Sequence, residues 1–289
     1  MYKVDNAIIM AAGTSSRFAP LSYELPKALI RVKGEVLIER QIKQLREAGI
    51  NDIYVVVGYK KEQFAYLKEK FNVTLIENNE YLTRNNNASI YVVKDILKNS
   101  YICSSDNYFE TNPFEQFVDD SYYAALFAKG NTKEWCLSVD ENDYINDVVV
   151  GGNNSWYMLG HTFWSEEFSA KFIEILNKIY NDEETRNCLW EDIYIANLDS
   201  LKMKIRRYSN DEIFEFDTLD ELRDFDSSYI NDTHSEILKY ISKELACEEK
   251  DLIELKAYKD ENNAAAGFTF VCKEQKYKYR YASKQFIKI

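Results

Sequence analysis

"AAGTSSRFAPLSYELPKAL", residues 11–29, follows the short apolar run Asn6-Ala7-Ile8-Ile9-Met10 and decides how the rest of the chain is read. The apolar run reads as a buried β-strand. What comes next has the period of neither strand nor helix: small residues at 11–16, then Arg17, Pro20, Pro26 and Lys27. Open parallel sheets bind ligands in the crevice beyond the carboxyl ends of their strands, so a loop directly after a first strand lies where chemistry is expected. Small side chains at Ala11, Ala12, Gly13, Thr14, Ser15 and Ser16 let backbone N–H groups approach an anion closely. Arg17 and Lys27 can add charge-assisted hydrogen bonds to a polyphosphate. Pro20 and Pro26 stiffen a long loop that must stay ordered without secondary structure. On composition alone, a plain strand-to-helix connection with two surface cations competes with this reading.

The sequence around the loop alternates short strands and helices. A helix is expected near residues 35–48, where Ile38, Ile42 and Leu45 share a face and Gly49 is the stop. Residues 52–57 form a β-branched run ending at Gly58; 61–71 read as helix, 73–76 as strand, 89–97 as helix and 101–104 as strand. This alternation implies right-handed βαβ units and a mostly parallel sheet flanked by helices. From 122 to 163 the pattern turns to strands, clearest at 122–128, 135–139 and 145–150. Helices are expected at 166–180 and 188–198, then strands at 203–208 and 213–216 and a helix at 219–225. The polar stretch 226–233 is the expected boundary, giving an α/β domain over 1–230 and a small α+β appendage over 231–289. The appendage reads as a helix at 234–245 and strands at 252–258, 267–272 and 276–281.

Composition narrows the function. The 289 residues are 46% hydrophobic and 29% charged, a balance that buries a core rather than staying disordered. A net charge of −12 argues against nucleic acid and anionic membrane surfaces, which are bound through basic patches. No apolar run reaches the roughly 18 residues of a membrane span, and the N-terminus reads as lacking a signal peptide. Five scattered cysteines without a CxxC, beside two histidines, make a zinc site improbable. The expectation is a reduced, cytoplasmic protein acting on small molecules, with no nucleic-acid partner and no membrane insertion.

The order A-A-G-x-x-S-R-F, then Pro20, then Pro26-Lys27-Ala28-Leu29, resembles the signature of nucleotidyltransferases that activate sugars and alcohols as NDP esters. "PKALIRVKGEVLIERQIKQLREAGINDIYVVVGYKKEQF" continues the likeness, although many members have Gly where this chain has Ser15. "YLTRNNNASIYVV", "SSDNYF", "KEWCLSV", "LWEDIY" and "IFEFDTLDEL" fall in the order of bacterial CTP:phosphocholine cytidylyltransferases, over residues 1 to about 228.

The resemblance implies the nucleotidyltransferase fold, a Rossmann-like mixed sheet, and a reaction in which a phosphomonoester oxygen attacks the α-phosphorus of CTP and pyrophosphate leaves. Such a displacement between anions needs charge neutralisation and positioning more than covalent help. Lys27, Arg17 and Asp106 are the expected catalytic residues. Mg²⁺ is the implied cofactor, with Asp106 and Glu215 as the preferred carboxylate pair. Glu215 and Asp217 alternate along an expected strand, so Asp217 joins them as a ligand or behind one. A strand followed by a helix capped by Asp217 or Thr218 explains the same residues without a metal. The resemblance assigns Asn85, Asn86 and Ser89 to reading the cytosine base; three asparagines in a row also suit a plain turn. It assigns Trp135 and Trp190, with Glu191 and Asp192 and a wall from Tyr108, to the choline group, because quaternary ammonium is bound by aromatic faces near a carboxylate.

Two alternatives stay open: the same chemistry on phosphoethanolamine, 2-aminoethylphosphonate or a sugar 1-phosphate, and a non-catalytic nucleotide-binding protein. The tail "NAAAGFTFVCKEQKYKYRYAS", residues 263–283, faintly resembles the first β-hairpin of choline/ethanolamine kinases. The sequence stops before such a fold supplies a catalytic Asp, so kinase activity is not expected. A relic, a piece of a bifunctional protein and a module that makes a homodimer all fit the tail.

Overall fold

The β-branched runs pair side by side, and the computed structural model describes residues 1–261 and 264–289. These divide into two units, residues 1–13 with 37–215 and residues 14–36 with 216–289.

The first unit is a seven-stranded sheet with helices. Its strands are β1 (Asn6–Ala11), β2 (Ile53–Val57), β3 (Thr74–Glu77), β4 (Ser100–Ser104), β6 (Tyr122–Val139), β7 (Ile145–Trp164) and β8 (Lys204–Arg207). A separate pair, β5 (Asn107–Phe109) and β9 (Ile213–Glu215), runs antiparallel. The sheet order is β8-β6-β7-β4-β1-β2-β3. β7 is antiparallel to both neighbours, and the other pairings are parallel. The carboxyl ends of β1, β2 and β4 therefore lie together, and β1 and β4 are neighbours.

Helix α1 (Leu37–Glu47) buries Ile38, Ile42 and Leu45 completely, the stripe its spacing dictates. Each such side chain contributes about 1.5–3 kcal/mol on leaving water. Gly49 ends the stretch at φ +82°, a conformation open to glycine. Two other helices are shorter than expected. Residues 61–71 split into a 3-10 turn and α2 (Tyr66–Phe71), and α3 covers only Asn87–Tyr91. After α4 (Glu166–Ile179), α5 (Trp190–Ile195) starts late because the Asp192 carboxylate accepts the Leu189 N–H at 2.7 Å and fixes its first turn. The stretch 122–163 is one long ribbon: β6 and β7 have 18 and 20 residues and stay paired through register shifts. Gly130 (φ +77°) and Gly151 (φ +85°) supply the bends. The core joins Ile8, Val56 and Ile102 of the sheet to Trp164, Phe172, Trp190 and Tyr194.

In the second unit, residues 14–36 end in a hairpin, Arg31–Val32 against Glu35–Val36, turning at Lys33 (φ +49°) and Gly34 (φ +83°). Two helices, α6 (Leu219–Phe225) and α7 (Glu236–Glu244), precede an antiparallel sheet of β10 (Ile253–Lys259), β11 (Ala265–Cys272), β12 (Gln275–Arg280) and β13 (Gln285–Lys288) in that order. Buried Arg223 donates to the carbonyls of Glu249 (2.8 Å) and Leu252 (2.9 Å), which ties α6 to the entry of this sheet. The Tyr229 hydroxyl donates to Arg31 O at 2.6 Å, and Lys33 N donates to Asp226 at 2.6 Å. These bonds draw loop 14–36 onto residues 226–229, so the position expected for a boundary, residue 230, falls inside the unit. Asn263, first residue of the kinase-like stretch, lies outside the described residues; β13 was not anticipated. Among the described residues no helix is long and apolar enough to cross a membrane.

Candidate active site

At the end of β1, Ala11 and Ala12 are buried, and the Ala12 carbonyl accepts the Tyr59 N–H at 3.1 Å. The accessible loop begins at Gly13, whose missing side chain would stand in open space, leaving its backbone approachable. At the end of the neighbouring strand, β4, Ser105 N donates to Met10 O at 3.2 Å, and Asp106 follows. The turn carrying Asp106 is held from below: Gln41 Nε2 donates to Ser104 O (2.9 Å) and Asn107 O (2.8 Å). Asn107 is paired with Glu215 across β5 and β9, and its Nδ2 donates to Glu215 Oε2 at 3.2 Å. Asp106 is thus one residue from the position opposite Glu215. No cluster of three or more His, Cys, Asp or Glu that could hold a metal occurs among the described residues. Mg²⁺ keeps several waters and takes one or two carboxylates plus phosphate oxygens, so Asp106 with Glu215 fits such an ion.

The second group in the first unit gathers at the start of α5. Asn86 Oδ1 accepts the Trp190 N–H at 2.7 Å, and Asn86 Nδ2 donates to Glu191 Oε2 at 3.0 Å. The Tyr123 hydroxyl donates to Glu191 Oε1 at 3.4 Å. Burial pushes the Glu191 carboxyl up to about 7, more than these hydrogen bonds pull it down. The Tyr123 hydroxyl is raised well above its ordinary value, first by burial and then by the carboxylates of Glu191 and Glu215.

Several expectations change here. Asn85 Nδ2 donates to Asn187 O at 3.1 Å, and Ser89 is buried with its hydroxyl accepting from Asn78 at 3.1 Å. With Asn86 bound to α5, the tract expected to read a base fastens α3 to α5, because amides beside a helix N-terminus satisfy its backbone. Trp190 is 1% exposed, stacked on Tyr123 (5.7 Å between centroids) and edge-on to Trp164 (5.1 Å). It lines the inward face of α5 with Ile193 and Tyr194, so it is core and not a cage wall. Tyr108 is buried, and the Arg40 guanidinium already covers its ring at 4.6 Å. Asp192 caps α5. Trp135, half-buried on β6 opposite Val150, and Glu191, half-buried and held by Asn86 and Tyr123, are the members of the expected choline group that are neither core nor cap.

In the second unit Ser15 adopts φ 46° and ψ 44°, the left-handed region that favours glycine. The position where related sequences carry Gly is the one whose backbone demands it. Arg17 is 75% exposed, and its Nη1 lies 2.6 Å from Asp217 Oδ2. Lys27 is no surface cation: its side chain is 4% exposed, with Nζ 3.9 Å from Asp217 Oδ1 and 5.7 Å from the centre of the Phe18 ring. Asp217 does not continue the strand that ends at Glu215. It precedes Thr218, which caps α6 with its hydroxyl accepting from Glu221 N (3.2 Å) while the Glu221 carboxylate accepts from Asp217 N (2.6 Å). Thr218 is thus the cap, and Asp217 is the counter-ion of two cations. The metal reading of Asp217 by strand alternation fails, because the cap turns the chain before residue 217.

Gln41, Tyr123 and Asn87 do not stand out in the sequence, yet each holds part of this region. Asn87 is fully buried, and its amide donates to Thr185 O and Cys188 O. Nothing local marks Gln41 or Tyr123, since their roles depend on long-range pairing; the third asparagine of the tract was at least visible.

Residues 7–102 match the MobA-like NTP transferase domain. The chain is 36% identical to choline-phosphate cytidylyltransferase of Streptococcus pneumoniae over 217 residues, 75% of this chain and 95% of that relative. It is 35% identical to 2-aminoethylphosphonate cytidylyltransferase of Lancefieldella rimae over 229 residues, covering 78% of this chain and 93% of the other. A solved structure of CTP:phosphocholine cytidylyltransferase from Streptococcus pneumoniae superposes with a TM-score of 0.75 at 35% identity, over 78% of this chain and 99% of that one.

Proposed function

The chain belongs to the cytidylyltransferase family of NTP transferases, and on that premise we propose that it transfers a cytidylyl group from CTP to phosphocholine, giving CDP-choline and pyrophosphate. The observation that carries this reading is the 36% identity to the choline-phosphate enzyme across 95% of that enzyme's length. The site chemistry agrees with it. Gly13 offers approachable backbone at the end of β1, next to the strand that delivers Asp106. Arg17 and Lys27 supply fixed positive charge for a triphosphate whose negative charge moves onto the leaving pyrophosphate. Asp217 lies against both cations and offsets part of their charge before the nucleotide arrives.

A divalent cation, Mg²⁺ in our reading, would be held by Asp106 and Glu215 and would offset charge on the reacting phosphates when bound. Gln41 and Asn107 hold those carboxylates in position. Glu191 and Trp135 are assigned to the ammonium end of the acceptor, with Asn86 and Tyr123 orienting the Glu191 carboxylate. The catalytic domain is assigned to residues 1–230 and the appendage to 231–289, in keeping with a likeness that covers three-quarters of the chain.

Two observations favour a second reading, 2-aminoethylphosphonate or phosphoethanolamine as acceptor. One is the 35% identity to the aminoethylphosphonate enzyme. The other is the burial of Trp190 and Tyr108, which leaves Trp135 as the one tryptophan of the expected cage. A primary ammonium makes more use of a direct acceptor and less of aromatic faces. Pyrophosphate release measured with CTP, ATP, UTP and GTP against phosphocholine, phosphoethanolamine, 2-aminoethylphosphonate and glucose 1-phosphate decides between them. The proposal requires CTP with phosphocholine to give the highest kcat/KM; a preference for either primary ammonium overturns it in favour of the second reading.

A further inference from the structure

The antiparallel sheet of the second unit has two unlike faces. Phe268, Phe270 and Cys272 of β11 and Tyr279 of β12 alternate onto one face and are buried. The residues between them stand on the other face, where the pairing register groups them into rows. Lys256 of β10 and Lys278 of β12 share a row through Thr269, and Ile287 of β13 ends it. Ile253 of β10 and Lys276 share the next row through Val271. Lys276, Lys278 and Arg280 occupy alternate positions of β12, about 7 Å apart. Ile253 and Ile287 are both exposed, so aliphatic side chains flank a patch of four cations.

The overall charge of −12 conceals this patch, because residues 252–289 carry eight basic and four acidic side chains. Those acids, Glu254, Asp260, Glu261 and Glu274, fall at the β10 bulge or in turns, which leaves the rows themselves cationic. Among the described residues no carboxylate forms an ion pair with Lys256, Lys276, Lys278 or Arg280. Their close neighbour is instead Tyr258: Lys278 Nζ lies 4.1 Å from the centre of its ring, and Arg280 interacts with its hydroxyl. Gly267 permits this, since a Cβ there would meet the Tyr258 hydroxyl oxygen at 2.7 Å.

The composition of the face selects its partner. Single-stranded nucleic acid is held by aromatic rings on which bases stack. Here the ring of Tyr258 lies under Lys278, and its hydroxyl donates to Tyr279 O at 3.0 Å. Exposed isoleucines gain nothing from a phosphate backbone, but they bury at the boundary between lipid headgroups and acyl chains. Lysine and arginine beside them keep their charge at headgroup level while their stems cover apolar surface. We propose that this face of the β10–β13 sheet docks on the surface of an anionic phospholipid bilayer, with the four cations against the headgroups and Ile253 and Ile287 at the acyl boundary. The docking is peripheral and uses none of the residues assigned to cytidylyl transfer.

The test is co-sedimentation of the full chain with vesicles of phosphatidylcholine alone, and with vesicles in which about a third of the lipid is phosphatidylglycerol. Wild type should bind the anionic vesicles at least about tenfold more tightly than the neutral ones, and salt at about 0.5 M should abolish the difference. Each basic residue near such a surface contributes about fivefold, so the triple variant Lys276→Gln, Lys278→Gln, Arg280→Gln should weaken binding about a hundredfold. Ile287→Ser should weaken it about fivefold at low and moderate salt alike, because its contribution is not electrostatic. Thermal melts and turnover of CTP with phosphocholine should be unchanged in both variants, and the sedimentation reads the face even if that turnover is absent. No binding of wild type to the anionic vesicles, or wild-type binding by the triple variant, would overturn the proposal. So would tighter binding of a single-stranded oligonucleotide that the triple variant loses and Ile287→Ser keeps, which would assign the face to nucleic acid.

Discussion

Asp217 holds Arg17 at 2.6 Å, and the same carboxylate faces Lys27 at 3.9 Å. Two cations from one loop share this counter-ion, which the cap of α6 fixes through Glu221 and the Asp217 N–H. The pair with Arg17 is exposed and so contributes little stability, at most about 1 kcal/mol. Its consequence is positional: the guanidinium and ammonium are oriented before any phosphate binds, which lowers the reorganisation left for the reaction.

Asp217→Asn should therefore alter the handling of CTP while leaving the metal requirement in place. The expected outcome is a changed KM for CTP with the Mg²⁺ half-saturation within about threefold of wild type. Asp106→Asn and Glu215→Gln should instead raise the Mg²⁺ needed by about tenfold or more, since an amide is a poorer Mg²⁺ ligand than a carboxylate. Combining those two should cost less than the product of the single losses if they serve one ion. Mg²⁺ titrations of activity in all four variants check this; a Mg²⁺ defect in Asp217→Asn as large as in Glu215→Gln would make Asp217 a ligand after all.

Lys27 now has two separable effects. Loss of its charge should lower kcat/KM for CTP by about two orders of magnitude, the scale for one electrostatic stabiliser. Because its side chain is buried against Phe18, truncation should also destabilise the fold, by about 1–3 kcal/mol. Lys27→Met keeps most of the volume, so it should retain the wild-type melting temperature within a few degrees and lose activity; Lys27→Ala should lose both. Near-normal turnover in Lys27→Met would remove Lys27 from the mechanism.

The difference between what the sequence carried and what it hid is visible in such residues. Ile38, Ile42 and Leu45 announce α1 because helical periodicity is a local property, and the strands around 52–57 and 101–104 are legible for the same reason. The signature loop was legible as an irregular segment after β1, and Ser15 marks its strained turn. Burial of Lys27 and Trp190 was not legible, since each depends on partners far along the chain. Trp190 rests on Tyr123 and Trp164, and no spacing near residue 190 encodes them. The same holds for Gln41, which reaches Asn107 across 66 positions. Expected helix 188–198 began too early because Asp192, read as part of the choline group, is a cap.

Ser15→Gly should be close to neutral. Left-handed geometry costs a residue with a side chain about 1 kcal/mol, and the gain from removing it is offset by roughly 0.5–1 kcal/mol of extra unfolded-state entropy. Ser15→Val combines β-branching with the same φ of 46° and should lower stability by more than about 1 kcal/mol. Thermal melts of both variants test this; equal stability of the Gly and Val forms would mean that the turn is not strained.

Glu191 predicts a pH dependence. Its carboxyl titrates at about 7 in the folded protein against an ordinary 4.5, so between those values the folded state binds more protons than the unfolded state. Stability should then fall as pH rises from about 4.5 through 7, and Glu191→Gln should flatten that slope. The acceptor's ammonium prefers the ionised carboxylate, so KM for phosphocholine should fall as pH rises through about 7. The acceptor phosphate titrates nearby, but that contribution persists in Glu191→Gln and can be subtracted. Identical pH profiles of KM in wild type and Glu191→Gln would dissociate Glu191 from the acceptor.

The two tryptophans should now behave differently from each other. Trp190 is core, so Trp190→Leu removes packing against Tyr123, Trp164 and Phe172 and should destabilise by about 2–4 kcal/mol. Any kinetic effect should fall equally on phosphocholine and phosphoethanolamine, because a buried ring touches neither. Trp135 is half-buried at the edge of the core, so Trp135→Leu should lower the melting temperature less than Trp190→Leu does. If its face meets the quaternary ammonium, that change removes about 1–2 kcal/mol of cation–π attraction, or roughly tenfold in affinity. Phosphocholine should lose that factor, whereas phosphoethanolamine keeps a hydrogen bond to Glu191 and should lose less. Steady-state kinetics of both variants on both acceptors, beside their thermal melts, separate core from site. Equal losses on the two acceptors in Trp135→Leu would leave Glu191 as the sole recogniser of the ammonium and would favour the primary-ammonium acceptors.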